Sequence, residues 1–390
     1  MTFIQKVLLY LMANFYKKGS VFLRSIIRFA KRNTVFVIAL FAMLITMFFV
    51  PVDKEYLGYF DFKTLTCLFC VLAVVCALKN VNFFYILAKK IVRKFGNLRM
   101  CVIALVYITF IGSMLIANDM ALLTFLPLGY FVLDTTGRKE YMAFTFIMQN
   151  IAANLGGMLT PFGNPQNLYL YTKFNIPTLE FMQIMLLPFI ISIVLITLCC
   201  IVFVKPEKLE INDDKDNFEP KRTALYLALF TLSIAIVFRG IPYWIGLIII
   251  PAVLLFADRK ALKMVDYPLL GTFAAFFVFS SNMARIEPVR NLFSMLLEKS
   301  TLVFSTLSCQ FISNVPSAIL LSQFTDNYKE LLVGVNIGGT GTFIASLASL
   351  ITLREYMLRD YEGIKKYTKL FCAFNFSFLA ILLAIMYFTV

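Results

Sequence analysis

Apolar residues gather in long runs separated by short polar segments, without the alternation of strands or the narrow stripe of a soluble amphipathic helix. Nine runs read as spanning helices: 34–50, 62–78, 141–171, 177–204, 223–238, 243–257, 267–282, 331–353 and 367–390, with 141–171 and 331–353 interrupted. Two further apolar blocks, 100–134 and 300–325, carry a polar kink near the middle. Each half is shorter than the roughly 20 residues a span needs, so these blocks read as re-entrant helical hairpins.

Basic residues orient this pattern. With the N-terminus inside, nine crossings place the C-terminus outside, and 28 of the 36 Lys and Arg residues then fall on the inner side. That asymmetry is what the positive-inside rule expects of a cytoplasmic-membrane protein, and counting either hairpin as a crossing spoils it. Segments 20–33 and 83–95 pair cations with apolar faces and read as helices lying on the inner leaflet. The polar stretch 205–222 reads as a cytoplasmic linker. The resulting organisation is a basic N-terminal segment (1–33), a first repeat (34–204), the linker, and a second repeat (223–390).

Composition agrees. The chain is 60% hydrophobic and 15% charged, against about 25% charged for an ordinary soluble domain. It has no histidine, which excludes His-dependent hydrolysis and His-ligated metal chemistry. The net charge of +14 is spread through loops between apolar runs, so no basic domain for nucleic acid is visible. Cys67 and Cys70 form a C-x-x-C inside an apolar run with no second ligand pair, which favours packing over zinc or redox chemistry. The N-terminus lacks the form of a cleavable signal peptide, and no P-loop is present. No cofactor and no enzymatic activity are expected. The expected partners are a small solute and the lipid bilayer.

The two halves repeat one order of parts. Leu115–Ala121 around Asn118 matches Phe311–Ser317 around Asn314, and Asn154-Leu-Gly-Gly-Met-Leu-Thr160 matches Asn336-Ile-Gly-Gly-Thr-Gly-Thr342. Small or polar residues continue in register as Gly163/Ala345, Asn164/Ser346 and Asn167/Ser349. Asp61 and Asp266 head corresponding helices with five crossings between them, and an odd number inverts the second repeat relative to the first. Secondary transporters place their sites between such repeats, where helices are broken. Gly156-Gly157 with Pro161 and Pro165, and Gly338-Gly339 with Gly341, are expected to make those breaks.

Broken helices offer positive dipole ends to anions and free carbonyls to cations. The expected anion-binding residues are Asn118, Thr160, Asn164, Asn167, Ser313, Asn314, Thr342, Ser346 and Ser349. The expected cation-coupling set is Asp119, Asn118, Asn154, Gly156, Gly157, Asn314, Asn336, Gly338 and Gly339, with Na⁺ at the hairpin tips or H⁺ as the coupling ion. Asp119 is the one acidic residue deep in an apolar block, where a charge must be paired, hydrated or protonated. It reads either as a cation or proton carrier, or as a cap for hairpin-tip N–H groups. Its counterpart is Val315.

Thr160-Pro161-Phe162-Gly163-Asn164-Pro165-Gln166-Asn167, Ile312-Ser313-Asn314-Val315-Pro316 and Ile344-Ala345-Ser346-Leu347-Ala348-Ser349-Leu350 resemble the ion transporter superfamily. That group comprises arsenite permeases, citrate transporters, sodium/proton antiporters and divalent-anion/sodium symporters, and the similarity runs from about Asp61 to Leu350. The resemblance implies an all-α polytopic membrane protein with two inverted repeats, each with a re-entrant hairpin and an unwound helix. It also implies an elevator-like motion, often in a homodimer. The symporters carry Ser-Asn-Thr at both tips, where this chain has Ala117-Asn118-Asp119 and Ser313-Asn314-Val315, the first closer to the arsenite-permease branch. The expected function is ion-coupled transport of a small carboxylate or inorganic oxyanion across the cytoplasmic membrane. A Na⁺/H⁺ antiporter using Asp119 and an arsenite-type efflux permease are the alternatives.

Overall fold

The computed structural model describes residues 29, 33–92, 94–208 and 219–389. Most of the expected amphipathic segment 20–33 and most of the linker 205–222 lie outside those residues. Each apolar run forms helix, because a backbone without water must bond internally. The helices are α1 (Thr34–Phe49), α2 (Phe62–Asn80), α3 (Phe83–Val92), α4 (Leu98–Ile116), α5 (Asn118–Thr135), α6 (Met142–Gly156), α7 (Pro165–Lys173) and α8 (Thr178–Phe203). They continue as α9 (Pro220–Val237), α10 (Tyr243–Ala257), α11 (Arg259–Met264), α12 (Tyr267–Arg285), α13 (Glu287–Lys299) and α14 (Thr301–Ile312). The last four are α15 (Asn314–Leu321), α16 (Tyr328–Ile337), α17 (Leu347–Met357) and α18 (Ile364–Tyr387).

Among the described residues five of these, α2, α4, α8, α9 and α18, are long and apolar enough to cross a bilayer, and α12 with α13 makes a sixth bent by 95°. Their outer faces suit lipid: α8 exposes Leu186, Ile190, Val194 and Leu198. The chain is therefore an all-α, multi-pass membrane protein. Element order repeats: α2, amphipathic α3, the pair α4–α5, the broken pair α6–α7 and α8 are followed in the second half by α12, α13, α14–α15, α16–α17 and α18. Start signals repeat too. Asp61 caps α2 through the Thr64 N–H (2.9 Å) and Asp266 caps α12 through the Leu269 N–H (3.0 Å).

Packing follows the same exchange. α1 lies along α12 as α10 lies along α2, and α5 packs on α17 as α15 packs on α7. Each half thereby completes its core with helices of the other. Within each half, α4 packs on α6 and α14 on α16. In both halves the α-helix ends at the expected glycine pair. α6 ends at Gly156 and passes into a 3-10 turn at Gly157–Leu159, and α16 ends at Ile337 with Gly338 as its C-cap. Beyond the first end, Thr160 and Asn164 are extended on either side of a turn. Gly156 lies against the Phe110 carbonyl and Ser113 of α4, and Gly338 against Cys309 of α14. These glycines stand where the helices end and also allow close helix approach.

Candidate functional site

The pairs α4–α5 and α14–α15 each double back on themselves through one residue, Ala117 and Ser313. Both take a conformation that side chains rarely adopt, φ 65° and ψ 152° at Ala117, φ 73° and ψ 157° at Ser313. That region is essentially reserved for glycine and costs about 1–3 kcal/mol per residue. Strain at two matching non-glycine positions points to a function at both tips. The next residue caps each tip alike. Asn118 Oδ1 accepts the Asp119 N–H and Asn314 Oδ1 accepts the Val315 N–H, both at 2.9 Å. The carboxamide of Asn118, not the carboxylate of Asp119, is therefore the local cap.

Thr160 and Thr342 also act as a matched pair. Thr160 Oγ1 donates to the Met114 carbonyl (2.8 Å) and Thr342 Oγ1 to the Gln310 carbonyl (3.0 Å), each four residues before its tip asparagine. They fasten the break to the tip, and neither lines the large cavity described below.

The asparagines of the breaks bond across the two halves. Ser346 Oγ donates to Asn154 Oδ1 (2.7 Å), while Asn164 Nδ2 donates to Asn336 Oδ1 (3.3 Å). Asn336 Nδ2 donates to Asn167 Oδ1 (2.6 Å), and Asn118 Nδ2 to Asn154 Oδ1 (3.2 Å). Asn154 and Asn336 are thus the two centres of one buried network. Ser349 joins its edge by accepting from Asn150 Nδ2 (3.3 Å). Ser313 Oγ and the Asn314 N–H both reach the Ala345 carbonyl, at 3.3 and 2.9 Å. Gly157 packs against Asn164 and Gly339 against Asn314.

Above this network lies a cavity of about 770 Å³. Of the predicted residues it gathers Asn118, Asp119, Ser313, Asn314 and Ser346 on its wall, and leaves Thr160, Asn164, Asn167, Thr342 and Ser349 behind it. Four helix N-termini open on it: α5 at Asn118 and Asp119, α7 at Pro165 and Gln166, α15 at Asn314 and Val315, and α17 at Leu347. The opposite wall is apolar, with Phe276, Phe279 and Met283 of α12 and Phe304 and Phe311 of α14. Among the described residues no Lys or Arg lines it, and Asp119 is its one carboxylate. Asp119 Oδ1 is buried without a hydrogen-bond partner. The residue also faces a second cavity of about 80 Å³, shared with Asp266.

Three glutamines with chemistry at the site escape a reading of the sequence. Gln166 lies beside Asn164, with Nε2 donating to Asn336 Oδ1 (3.4 Å). Gln149 ties α6 to α4 and α5 through Thr109 Oγ1 (3.0 Å) and the Phe125 carbonyl (3.1 Å). Gln310 serves the second break. Gln149 stands next to Asn150 and Gln166 next to Asn167, while Gln310 is a lone amide in an apolar run, the only sequence signal it gives.

Residues 25–337 match the CitMHS family, described as citrate transporters. An uncharacterized transporter of Methanocaldococcus jannaschii is 35% identical over 299 residues, which covers 75% of this chain and 81% of that protein. The inner membrane protein YbiR of Escherichia coli K12 is 28% identical over 317 residues, covering 79% and 83%.

Proposed function

The chain belongs to the CitMHS citrate-transporter family, a family of membrane transporters, and from that premise we propose that it moves a small carboxylate or inorganic oxyanion by secondary active transport. The observation that carries this reading is the convergence of four helix N-termini, two from each half, on one cavity. Each such terminus presents about half a positive charge. Together they attract an anion without any Lys or Arg, and the dipoles act strongly in a site walled by Phe side chains.

The two halves are inverted-topology repeats, and α4–α5 and α14–α15 are re-entrant hairpins entering from opposite sides of the cytoplasmic membrane. The N-terminus is inside and the C-terminus outside, as the basic residues require. Alternating access is an elevator motion. The hairpins and broken helices move against α1, α2, α9, α10 and α12, and two copies associate as a homodimer. The coupling cation, Na⁺ or H⁺, belongs at Asp119, which lines both cavities; bound there, the cation neutralises the carboxylate that would otherwise repel the anion. Here the bland role, a cap on the tip, is already filled by Asn118.

The test is uptake into proteoliposomes of a panel headed by citrate, which the family's description specifies, and including other carboxylates and oxyanions. Na⁺ and H⁺ gradients are imposed separately. Saturable uptake of one anion driven by one gradient supports the proposal; absence of uptake for every anion refutes it. The unpartnered Asp119 Oδ1 also favours a second reading, a Na⁺/H⁺ antiporter. Sodium-dependent proton flux with no anion present selects that reading.

A further inference from the structure

The two breaks are built from matching positions but are satisfied differently. At the second, Gln310 Nε2 lies within reach of the Gly338 (2.9 Å), Thr340 (3.0 Å) and Thr306 (3.3 Å) carbonyls, while its Oε1 accepts the Thr342 N–H (2.9 Å). One side-chain amide thus closes the backbone groups released where α16 ends. The residue matching Gln310 in the first half is Met114, a thioether with no donor. There Asn167 Nδ2 reaches the Gly157, Met158 and Thr160 carbonyls at 3.2, 3.2 and 3.3 Å, each longer than the contacts of Gln310 to the Gly338 and Thr340 carbonyls.

The side chains around the first break keep acceptors free. Asn164 Oδ1 and Gln166 Oε1 are buried without a partner, on residues that are 1% exposed. The amide nitrogens of the same two residues converge on Asn336 Oδ1. Asp119 Oδ1, also unpartnered, stands with Gln166 on the wall of one cavity. The matching positions in the second half are Ser346, Ala348 and Val315. Ser346 Oγ already donates to Asn154 and accepts the Ala348 N–H (3.1 Å). Among the described residues, the second break has no buried side-chain polar atom without a partner.

We infer that the exchangeable monovalent cation belongs to the first break alone, and that Gln310 is a fixed, neutral substitute for a cation at the second. A bound cation and an amide NH₂ meet the same need there, to give converging carbonyls something positive. The amide does so permanently, so this half of the repeat cannot take part in ion exchange. One coupling ion per anion follows, and that consequence rests on the transporter reading; the binding asymmetry itself does not.

The test uses full-length purified protein in detergent, without transport. Thermal unfolding is followed as NaCl, LiCl or choline chloride is varied at constant ionic strength. The variants are Gln310→Glu, Gln310→Ala and Gln310→Met, the last supplying the first half's own residue. Each is expected to gain a dependence on the small cation beyond that of the wild type. Above the new site's Kd, every tenfold rise in Na⁺ or Li⁺ lowers the apparent unfolding constant about tenfold more than in wild type. Gln310→Glu should gain most. Equal losses of stability in all three salts, for every variant that folds, overturn the inference. So does wild-type protein that binds two Na⁺ at equilibrium. If no variant folds in any salt, small cations do not replace the amide, and the inference also fails. A transport assay in which no anion moves leaves these outcomes unaffected, so the two readings fail separately.

Discussion

Replacing Asn336 by Ala removes the hub that ties the two breaks together. Its Nδ2 serves Asn167 Oδ1 and the Leu332 carbonyl, at 2.6 and 2.8 Å, and its Oδ1 receives Asn164 and Gln166. The Leu332 carbonyl keeps its helical setting, and Asn164 Nδ2 keeps its bond to the Asn154 carbonyl (3.2 Å). Asn167 Oδ1 and Gln166 Nε2 lose their only hydrogen-bond partner. Two buried orphans at about 1–3 kcal/mol each predict a loss of about 2–6 kcal/mol, before any cavity term. Asn375 supplies the control. It is equally buried, but its Nδ2 donates only to the Phe371 carbonyl one turn back (3.0 Å), so Asn375→Ala orphans nothing and should cost much less. Thermal unfolding of both variants in one detergent gives the comparison. An Asn336→Ala protein within about 1 kcal/mol of Asn375→Ala refutes the claim that the network holds the halves together.

Other changes probe the remaining links. Ala117→Gly and Ser313→Gly relieve the strained tips and should each raise stability, by about 1 kcal/mol after the entropy glycine adds to the unfolded chain, measured by thermal unfolding. Gly156→Ala pushes a methyl group into the Phe110 carbonyl, forces α4 and α6 apart and should cost about 1–3 kcal/mol in the same assay. Asp119→Asn should leave anion exchange at equal concentrations intact while abolishing its acceleration by the driving cation gradient, measured in proteoliposomes. Outside the membrane, the Arg285 guanidinium, 2.6 Å from Asp53, holds that carboxyl below its ordinary value. A lowered folded pKa gives stability that is full above the unfolded value, about 3.9, and is lost as pH falls through the folded one. Arg285→Gln should therefore flatten the acid limb of a plot of unfolding temperature against pH.

The spanning pattern was legible because burial in lipid leaves little freedom: 243–257 is the helix read from the sequence, and most other ends fall within a few residues. Amphipathic α13 was not. Glu287, Arg290, Glu298 and Lys299 make it read as a polar connector, and only its 95° turn from α12 reveals a helix set across its neighbour. Register between the halves exposed Asn118, Asn314, Asn154 and Asn336, since an amide repeated at matching positions within apolar surroundings must find a polar partner in the interior. The same register located the helix ends at Gly156-Gly157 and Gly338-Gly339. It did not show the second use of these glycines, the close approach of Phe110 and Cys309, which is visible only once the neighbour is in place. Gln310 stayed hidden because its partners are backbone groups about 30 residues away, which no side-chain pattern records.

Exchange of radiolabelled anion across proteoliposomes, compared among wild type, Asn118→Ala, Asn314→Ala and Ser346→Ala, tests most directly whether both halves build one anion site. Saturable exchange in wild type that is lost in all three variants, while each remains folded, is the predicted result. Exchange that persists in either tip variant, or wild-type flux that does not saturate, contradicts a single shared site.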